Sequence, residues 1–265
     1  MPTTTMTPPL AEQLLALGLR ATADQLDDVV ARATTHRWSP TQLLEHVVQR
    51  EHDDRARRGL ERRLARSRLG RFKPMADFDW GWPTRLDRDA VEAALRLEFL
   101  PAARNVVLVA PQGLGKTMIA QNIGLQAVQA GHSVCFTTAS QLLLDLAAQD
   151  SARALDRRLR HYGSRTSLLI IDEIGYLSYD SRNADLLYQA VSRRHEKRSI
   201  VLTTNLAFQD WPTIFPNASS AIALIDRVIH HADIIAIEGT SYRRRVAEET
   251  VAAQRAAKAK PKPKP

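Results

Sequence analysis

The chain has 265 residues, of which 37 are basic and 29 acidic, so its formal net charge is +8. Hydrophobic residues at 44% and charged residues at 25% exclude a wholly disordered chain, and the length predicts one full domain and a smaller one. The single cysteine, Cys135, excludes an internal disulfide framework and a cysteine-based zinc site, and it is typical of the reducing cytoplasm. No run of about 18 apolar residues occurs, so we expect neither a membrane protein nor an exported one.

Composition and periodicity divide the chain into four predicted segments. Residues 1–73 predict a small all-helical domain, and residues 74–86, rich in Pro, Gly and Trp, predict a linker. Residues 87–253 begin with a helix over about 87–100 and continue as short apolar strands alternating with helices, which is typical of an α/β fold with a parallel sheet. Residues 254–265 contain the run KAKPKPKP and predict a disordered tail. The predicted strands are Val106–Val109, Ser133–Thr137, Ser167–Asp172, Ile200–Thr204 and Ile234–Ile237.

Two capping patterns mark helix starts in the N-terminal domain. Thr22 precedes Gln25 by three residues, and Ser39 precedes Gln42 by the same spacing. In such a capping box the first side chain accepts a hydrogen bond from the backbone N–H of the third helical residue, whose own side chain accepts one in return. The second pattern predicts the start of a long helix that runs toward Leu69.

Basic residues dominate the second half of that helix, beyond Arg50. Their excess over acidic residues is larger than ion pairing within the helix explains, which predicts contact with DNA phosphates. A second basic cluster lies between the second and third strands and leads to the same prediction. For both clusters, a solvated helix face is the alternative. The candidate DNA-contacting residues are Arg55, Arg58, Arg62, Arg66, Arg153, Arg157 and Arg160.

The strongest local signal is the run APQGLGKT, which follows an apolar strand and precedes a helical stretch. This is the context of a phosphate-binding loop, although Ala110 stands where the motif has its first glycine. Backbone N–H groups would surround the phosphates of ATP, Lys116 would reach the β- and γ-phosphates, and the Thr117 hydroxyl would bind Mg²⁺. The predicted nucleotide-binding residues are Ala110, Pro111, Gln112, Gly113, Leu114, Gly115, Lys116, Thr117 and Met118.

An acidic pair, Asp172 and Glu173, follows the four apolar residues 168–171. Such a run predicts a buried parallel strand, and the ligand sites of α/β folds lie at the carboxyl ends of their strands. Asp172 would hold Mg²⁺, and Glu173 would act as the base that polarises the attacking water, which predicts hydrolysis rather than binding alone. A helix N-cap is the alternative for the pair. The phosphate-binding loop favours the magnesium interpretation, because each motif supplies the half of the site that the other lacks.

Three other features are less specific. Asn205 ends the fourth strand and either orients the water or contacts the γ-phosphate, or else it caps the strand end. Phe78 and Trp80 either pack the linker onto the main domain or stack on a base. His230 and His231 have no metal-spaced companion in the sequence, and we interpret them as structural.

The order of these motifs is similar to that of a known family. GLGKT, LLIIDEIGYL, IVLTTNLAFQDW, LIDRVIHHADII and GTSYRRR follow one another along the chain, which resembles the IstB-like ATP-binding proteins. Members of this family are helper ATPases encoded beside the transposase in a group of bacterial insertion sequences. They belong to the AAA+ superfamily, close to helicase loaders and replication initiators. The resemblance extends to Arg245 and implies a P-loop AAA+ parallel-sheet core with a smaller all-helical N-terminal domain.

The resemblance also implies roles for single residues. Asn205 matches the sensor 1 position, Arg227 matches the arginine finger that reaches the ATP of a neighbouring subunit, and Arg243 matches the sensor 2 arginine. Arg244 and Arg245 adjoin Arg243 and could be confused with it. A finger acting in trans implies a homo-oligomer. The expected catalytic residues are Glu173, Lys116, Asn205, Arg227 and Arg243.

From these motifs and the family resemblance we expect a cytoplasmic, ATP-dependent protein that assembles on duplex DNA and presents the target to a partner transposase. A helicase loader would share the ATPase core but act on a helicase and single-stranded DNA, and the arginine-rich helix favours duplex DNA. A scaffold with a structural nucleotide would not need Glu173 as a base. A small-molecule kinase would leave the finger and sensor positions unexplained. No group of three carboxylates arranged for two metals is evident, so strand transfer is expected of the partner.

Overall fold

The computed structural model describes residues 8–176, 178–247 and 250. The chain divides into two compact units, Met1–Arg62 and Arg63–Pro265. Among the described residues, none of the helices is both long enough and apolar enough to cross a membrane. The predicted tail, residues 254–265, lies outside the described residues. The predicted limits of the N-terminal domain, the linker and the main domain stay predictions.

The first unit is built from helices. Ser39 forms the predicted capping box, in which its backbone N–H donates to Gln42 Oε1 at 2.8 Å and its Oγ accepts from the Gln42 N–H at 3.3 Å. Pro40 occupies the first helical position, where the N–H that proline lacks would have no partner in the helix. The unit contains α1 (Leu10–Ala16), α2 (Arg20–Ala23), α3 (Leu26–Thr35) and most of α4 (Pro40–Ser67).

The capping box predicted at Thr22 is wrong. Thr22 lies inside α2 and is buried, and Gln25, directly before α3, makes no side-chain cap. The Thr22 backbone N–H donates instead to the buried Glu51 carboxylate of α4, at 2.7 Å. A buried carboxylate is costly without hydrogen-bond donors, so this tertiary contact takes precedence over the local pattern.

The second unit is a sheet flanked by helices. Within the described residues, the strands are β1 (Arg85–Leu86), β2 (Asn105–Val109), β3 (Val134–Thr138), β4 (Leu168–Ile174), β5 (Ile200–Thr204) and β6 (Ala232–Glu238). The α-helices are α5 (Arg88–Leu95), α6 (Lys116–Gln129), α7 (Ala139–Ala147), α8 (Ala152–Arg160), α9 (Ser181–Ser192) and α10 (Ala218–Ile229). Short 3₁₀ or π-helical segments cover Met75–Asp77, His161–Arg165 and Phe208–Thr213.

The strands of the described residues form one sheet in the order β1-β6-β2-β5-β4-β3. β2 pairs in parallel with β6 and β5, β4 pairs in parallel with β5 and β3, and the short β1 is antiparallel to β6. The predicted parallel α/β architecture is therefore confirmed, and each predicted strand is present. Because β5 lies between β2 and β4, the carboxyl ends of the three strands that lead into the predicted site are neighbours.

Burial explains why these strands are continuous apolar runs rather than alternating ones. Every residue of β5 is buried, and β4 exposes only Glu173. α6 contacts β3, β4 and β5, and its Ile119 and Ile123 are fully buried. Strands covered by helices on both faces have no polar side. Cys135 of β3 lies in the same core.

The helix predicted over about 87–100 is shorter in the structure. α5 begins after Asp87, whose side chain accepts a hydrogen bond from the Ala90 N–H at 3.0 Å, and it ends at Leu95. Leu97 has a φ of +64°, a left-handed conformation that is incompatible with a continuing α-helix. Phe99 is 1% exposed, so the turn after the helix still delivers an apolar side chain to the core.

A buried arginine holds together the amino-terminal ends of β4 and β5. Arg194 is fully buried, and its guanidinium donates to the Ser167 carbonyl at 2.8 Å and to the Ser199 carbonyl at 2.7 Å, directly before these strands. It also donates to the carbonyls of Tyr162, Gly163 and Thr166. Unpaired carbonyls and an unsolvated cation would each be costly, and here the carbonyls accept hydrogen bonds from the two terminal nitrogens of the guanidinium. The strands that carry Asp172 and lead to Asn205 are thereby fixed side by side.

Candidate functional site

The run APQGLGKT forms a loop between the end of β2 and the start of α6. Gly113 and Gly115 have φ values of +83° and +88°, which residues with a Cβ rarely adopt. A Cβ on Gly115 would also lie 2.7 Å from the Phe78 ring, so glycine is required there on two counts. The loop turns through both glycines into the N-terminus of α6, and this is the geometry of a phosphate-binding loop.

A segment from near the end of the chain packs on this loop. The Tyr242 backbone N–H donates to the Gly113 carbonyl at 3.0 Å. A Cβ on Gly113 would overlap the Ser241 hydroxyl, so only glycine permits this close approach. Residues 242–247 are helical. The contact brings Arg243 to the cavity beside the loop.

The linker aromatic residues pack onto the same unit, in agreement with the first of their two interpretations. The Phe78 and Trp80 rings meet edge to face with centroids 5.0 Å apart. Trp82 Nε1 donates to the Thr240 carbonyl at 2.8 Å. Phe78 and Trp82 also line the cavity, so part of this packed surface faces the space beside the phosphate-binding loop.

Lys116 begins α6, and its side chain folds back over the loop. The ammonium donates to the Ala110 carbonyl at 2.6 Å and to the Pro111 carbonyl at 2.9 Å. Burial lowers the pKa of Lys116, while the Asp172 carboxylate opposes this shift and the Arg243 guanidinium adds to it. Lys116 and Arg243 are therefore close enough for their charges to interact beside the loop.

The Asp172 carboxylate on β4 is buried, with 3% of the residue exposed. Thr117 Oγ1 lies 3.1 Å and 3.0 Å from its two oxygens and donates to them. A second hydroxyl, Thr203 Oγ1 on β5, donates to Oδ1. Hydroxyl and carboxylate oxygens are ligands that Mg²⁺ prefers in proteins. Thr117 and Asp172 fit the predicted Mg²⁺ ion as ligands, because their oxygen atoms are close enough to bind one ion together.

Glu173 has a φ of +62°, a left-handed conformation that is uncommon for a residue with a side chain. The pairing of β4 with β5 is irregular between Ile171 and Ile174, so Glu173 lies in a bulge. Its backbone N–H donates to Thr203 Oγ1 at 2.9 Å. As a result the Glu173 side chain is exposed and lines the cavity, although Asp172 and Ile174 on either side are buried.

Thr203 is a site residue that the sequence analysis misses. Its single hydroxyl accepts from the Glu173 N–H and donates to Asp172, so it links the two acidic residues. Thr203 is fully buried, and it also lines the cavity. The only signal in the sequence is a threonine two residues before Asn205. Its importance depends on the strand order, because β5 must lie next to β4 for the hydroxyl to reach the acidic pair.

These groups surround a cavity of about 730 Å³, within the range of about 300–1,000 Å³ that is typical of small-molecule sites. Four of the expected catalytic residues line it, namely Lys116, Glu173, Asn205 and Arg243. The lining from the predicted loop consists of Gln112, Gly113, Leu114, Gly115, Lys116, Thr117 and Met118. Ala110 and Pro111 contribute the carbonyl groups that hold the lysine.

Arg227 is not among the described residues that line this cavity. It lies near the end of α10 and is half-buried. Its backbone carbonyl is 3.3 Å from His195 Nδ1. The structure therefore brings together four of the five expected catalytic residues in one chain and leaves Arg227 apart from them.

The arginines predicted to contact DNA lie on α4 and α8. Two of them are held by carboxylates of their own helix: Arg58 pairs with Asp54 at 2.6 Å, and Arg160 pairs with Asp156 at 2.6 Å. The others are exposed and make no ion pair within the part of the chain that the structure describes. They are Arg55, Arg62, Arg66, Arg153 and Arg157.

The sequence matches the family model of the IstB-like ATP binding proteins over residues 12–250. The chain belongs to this family. It is 35% identical over 218 residues to an ATP-binding protein of insertion sequence IS21 from Pseudomonas aeruginosa, and the match covers 82% of each chain. It is 34% identical over 234 residues to the corresponding protein of IS232 from Bacillus thuringiensis subsp. berliner, covering 88% of this chain and 93% of the relative.

Among solved structures, the crystal structure of DnaI is similar to this IstB-like protein with a TM-score of 0.51 at 17% identity. The similarity covers 64% of this chain and 92% of the DnaI chain, and it concerns the fold alone. The predicted family and the predicted P-loop AAA+ fold are confirmed. The names of both relatives assign those proteins to insertion sequences.

Lys116→Ala is expected to weaken ATP binding about 10- to 100-fold, because a hydrogen bond to a charged group contributes about 1.5–3 kcal/mol. Isothermal titration calorimetry with ATP measures this effect. Lys197→Ala, which removes an exposed lysine outside the cavity lining, is the matched control and is expected to bind ATP like the wild type. Unchanged affinity in Lys116→Ala would refute the assignment of the phosphate-binding loop.

Proposed function

We propose that this IstB-like protein is a Mg²⁺-dependent ATPase that assembles as a homo-oligomer on duplex DNA and assists a partner transposase in target selection and transposition. The observation that carries the proposal is the contact of Thr117 with Asp172, with Glu173 exposed to the same cavity. A protein that only bound nucleotide would not need an exposed base at this position. The names of the relatives, which assign them to insertion sequences, support the role in transposition.

The phosphate-binding loop and Lys116 would hold the phosphates of ATP. The backbone N–H groups at the N-terminus of α6 would bind the phosphates, and the Lys116 ammonium would exchange its two loop carbonyls for phosphate oxygens. Thr117 and Asp172 would hold Mg²⁺, which neutralises charge on the phosphates. Phe78 and Trp82 line the same cavity, where a base could pack.

Glu173 is the proposed general base. Its exposed carboxylate would orient a water molecule and accept a proton from it. Thr203 would act as a positioning residue, because its hydroxyl holds the Glu173 backbone and the Asp172 carboxylate together. Asn205 lines the same cavity and would orient the water or contact the γ-phosphate.

Two arginines are proposed to act on the phosphates from different subunits. Arg243 lines the cavity of its own chain, close enough for its charge to act on Lys116. Arg227 lies outside the described lining, which supports a role at the ATP of a neighbouring subunit. In well-studied systems such an arginine contributes about 10³–10⁵ in rate. Hydrolysis would therefore depend on a homo-oligomer.

The exposed arginines of α4 and α8 are the proposed contacts to DNA. Arg62, Arg153 and Arg157 are exposed and make no ion pair among the described residues, so their charge is available to phosphates. Contacts of this kind bind the backbone of DNA and carry no sequence information directly. We therefore propose binding that tolerates many target sequences, in the cytoplasm, with strand-transfer chemistry left to the transposase.

A mobility-shift assay tests the DNA-binding part of the proposal. Random-sequence duplex and single-stranded DNA are compared at one salt concentration, each with ATP, with ADP and without nucleotide. We expect large, discrete complexes on duplex DNA that require ATP and that the Lys116→Ala protein does not form. A preference for single strands would favour a helicase loader, and binding that ignores the nucleotide would favour a passive DNA-binding protein. Either result contradicts the proposal.

Thr203→Val tests how the acidic pair is positioned. Valine keeps the side-chain volume but leaves the Glu173 N–H and Asp172 without the bridging hydroxyl. We expect kcat for ATP hydrolysis to fall about 10- to 100-fold without loss of ATP affinity, the pattern also expected of Glu173→Gln. Steady-state ATPase assays and calorimetry measure the two quantities.

Two further variants control this experiment. Thr203→Ser keeps the hydroxyl and is expected to restore most of the rate. Thr204→Val changes the neighbouring buried threonine, whose hydroxyl bonds only with Leu206 among the described residues, and it is expected to hydrolyse ATP normally. Normal turnover in Thr203→Val, or an equal loss in Thr204→Val, would exclude the bridging role of Thr203.

Arg227→Ala is expected to bind ATP normally but to lose hydrolysis by a factor of about 10³ or more. Mixing this protein with Lys116→Ala should restore part of the activity, since a mixed interface can combine an intact ATP site with an intact arginine. ATPase assays over a series of mixing ratios measure the recovery, and each variant alone is its control. If no ratio restores activity, the arginine does not act across a subunit boundary.

A further inference from the structure

Two histidines and a glutamate come together outside the nucleotide cavity. His195 and Glu196 lie in the turn after α9, and His230 directly follows α10. One nitrogen of each imidazole and a carboxylate oxygen of Glu196 all lie within 4.8 Å of one another. His230 therefore has companions from another turn of the chain, which its sequence neighbourhood does not reveal.

The distances from Glu196 to the two imidazole nitrogens are too long for direct hydrogen bonds. Glu196 Oε1 lies 3.8 Å from His195 Nε2 and 3.6 Å from His230 Nδ1. Both distances exceed the usual hydrogen-bond range of about 2.7–3.2 Å. Nitrogen and oxygen ligands about 2.0–2.2 Å from a tetrahedral zinc ion are about 3.4 Å apart. The two nitrogen–oxygen distances are thus closer to those of ligands that share a cation than to those of direct hydrogen bonds.

A hydrogen bond to the backbone orients the His195 ring. Its Nδ1 lies 3.3 Å from the Arg227 carbonyl, which can only accept, so Nδ1 carries the proton. In the neutral ring Nε2 is then unprotonated, and this is the nitrogen that faces Glu196. A histidine that binds a metal usually donates its other N–H in this way, which fixes the tautomer and the ring orientation.

We infer that His195, Glu196 and His230 bind a divalent transition-metal ion of the zinc type. Two imidazoles and one carboxylate suit Zn²⁺, with water completing the tetrahedron, whereas Mg²⁺ and Ca²⁺ prefer oxygen ligands. The side chains of Glu196 and His230 are 59% and 47% exposed, so an ion can enter from solvent. His195, whose side chain is 13% exposed, supplies the rigid ligand.

The bound ion would join the turn after α9 to the end of α10. His195 already contacts the carbonyl of Arg227, so a second link, through the metal to His230, would restrict the last turn of the helix that carries this arginine. This site does not involve the nucleotide cavity, since none of its three residues is among the described lining. The inference is independent of ATP hydrolysis.

Zinc titration of the chelator-stripped, untagged full-length protein tests this inference. Calorimetry with Zn²⁺ alone is expected to show saturable binding of about one ion per chain, and Co²⁺ in its place should give the intense visible absorption of tetrahedral coordination. At about a hundredfold excess over Kd, Zn²⁺ should raise Tm by about 5 °C or more. The absence of saturable binding to the wild-type protein would overturn the inference.

Substitutions of the exposed ligands test which residues bind the ion. His230→Ala and Glu196→Gln are expected to weaken Zn²⁺ binding at least about tenfold and to keep the Tm of the metal-free protein. His231→Ala is the matched control, because His231 adjoins His230, with ring centroids 4.1 Å apart, but lies outside the cluster. It should bind Zn²⁺ like the wild type. Equal losses in His230→Ala and His231→Ala, or no loss in His230→Ala, would contradict the proposed ligand set.

Discussion

The geometry of the nucleotide site depends on one buried carboxylate that must be satisfied. Asp172 is almost fully buried, and a carboxylate without donors in that position would be strongly unfavourable. Its donors are two hydroxyl groups, Thr117 at the start of α6 and Thr203 on β5. Each donor belongs to a different element, so the hydrogen bonds to this one carboxylate fix the phosphate-binding loop, β5 and β4 relative to one another.

Hydrogen bonds hold β4 and β5 together at both of their ends. The Thr203 hydroxyl that donates to Asp172 also accepts from the Glu173 backbone, which holds the bulge in place. At the other end of the strands, Arg194 bonds to the carbonyls that precede β4 and β5. The two strands are therefore fixed at both ends, and the cavity forms at the end where the acidic pair emerges. A fixed arrangement of this kind needs little reorganisation when charge develops during a reaction.

The features predicted correctly from sequence are those that depend on local chemistry. The apolar runs predict the buried strands, and the glycine spacing predicts the loop, because both patterns arise from residues close together in the chain. Ser39 shows the same for capping, since its partner Gln42 is within one turn. Family resemblance then adds the expected roles of Asn205 and Arg243, both of which line the cavity.

The features that could not be predicted depend on long-range contacts. Thr203 becomes a site residue only because β5 lies between β2 and β4, and no local pattern specifies that order. Thr22 fails as a cap because its N–H bonds to Glu51 on another helix. The glutamate beside His230 comes from a different turn of the chain. In each case the decisive contact joins residues that are far apart in the sequence.

The backbone of Glu173 has a consequence for how this protein can change over time. A φ of +62° is strained for a residue with a side chain, and such positions cost about 1–3 kcal/mol that the surroundings must offset. Glycine would adopt this conformation without strain but would remove the carboxylate from the cavity. Under the proposed role of Glu173 as a base, selection for a more stable fold and selection for the carboxylate act in opposite directions at this residue. The bulge would then keep the proposed base at the expense of stability.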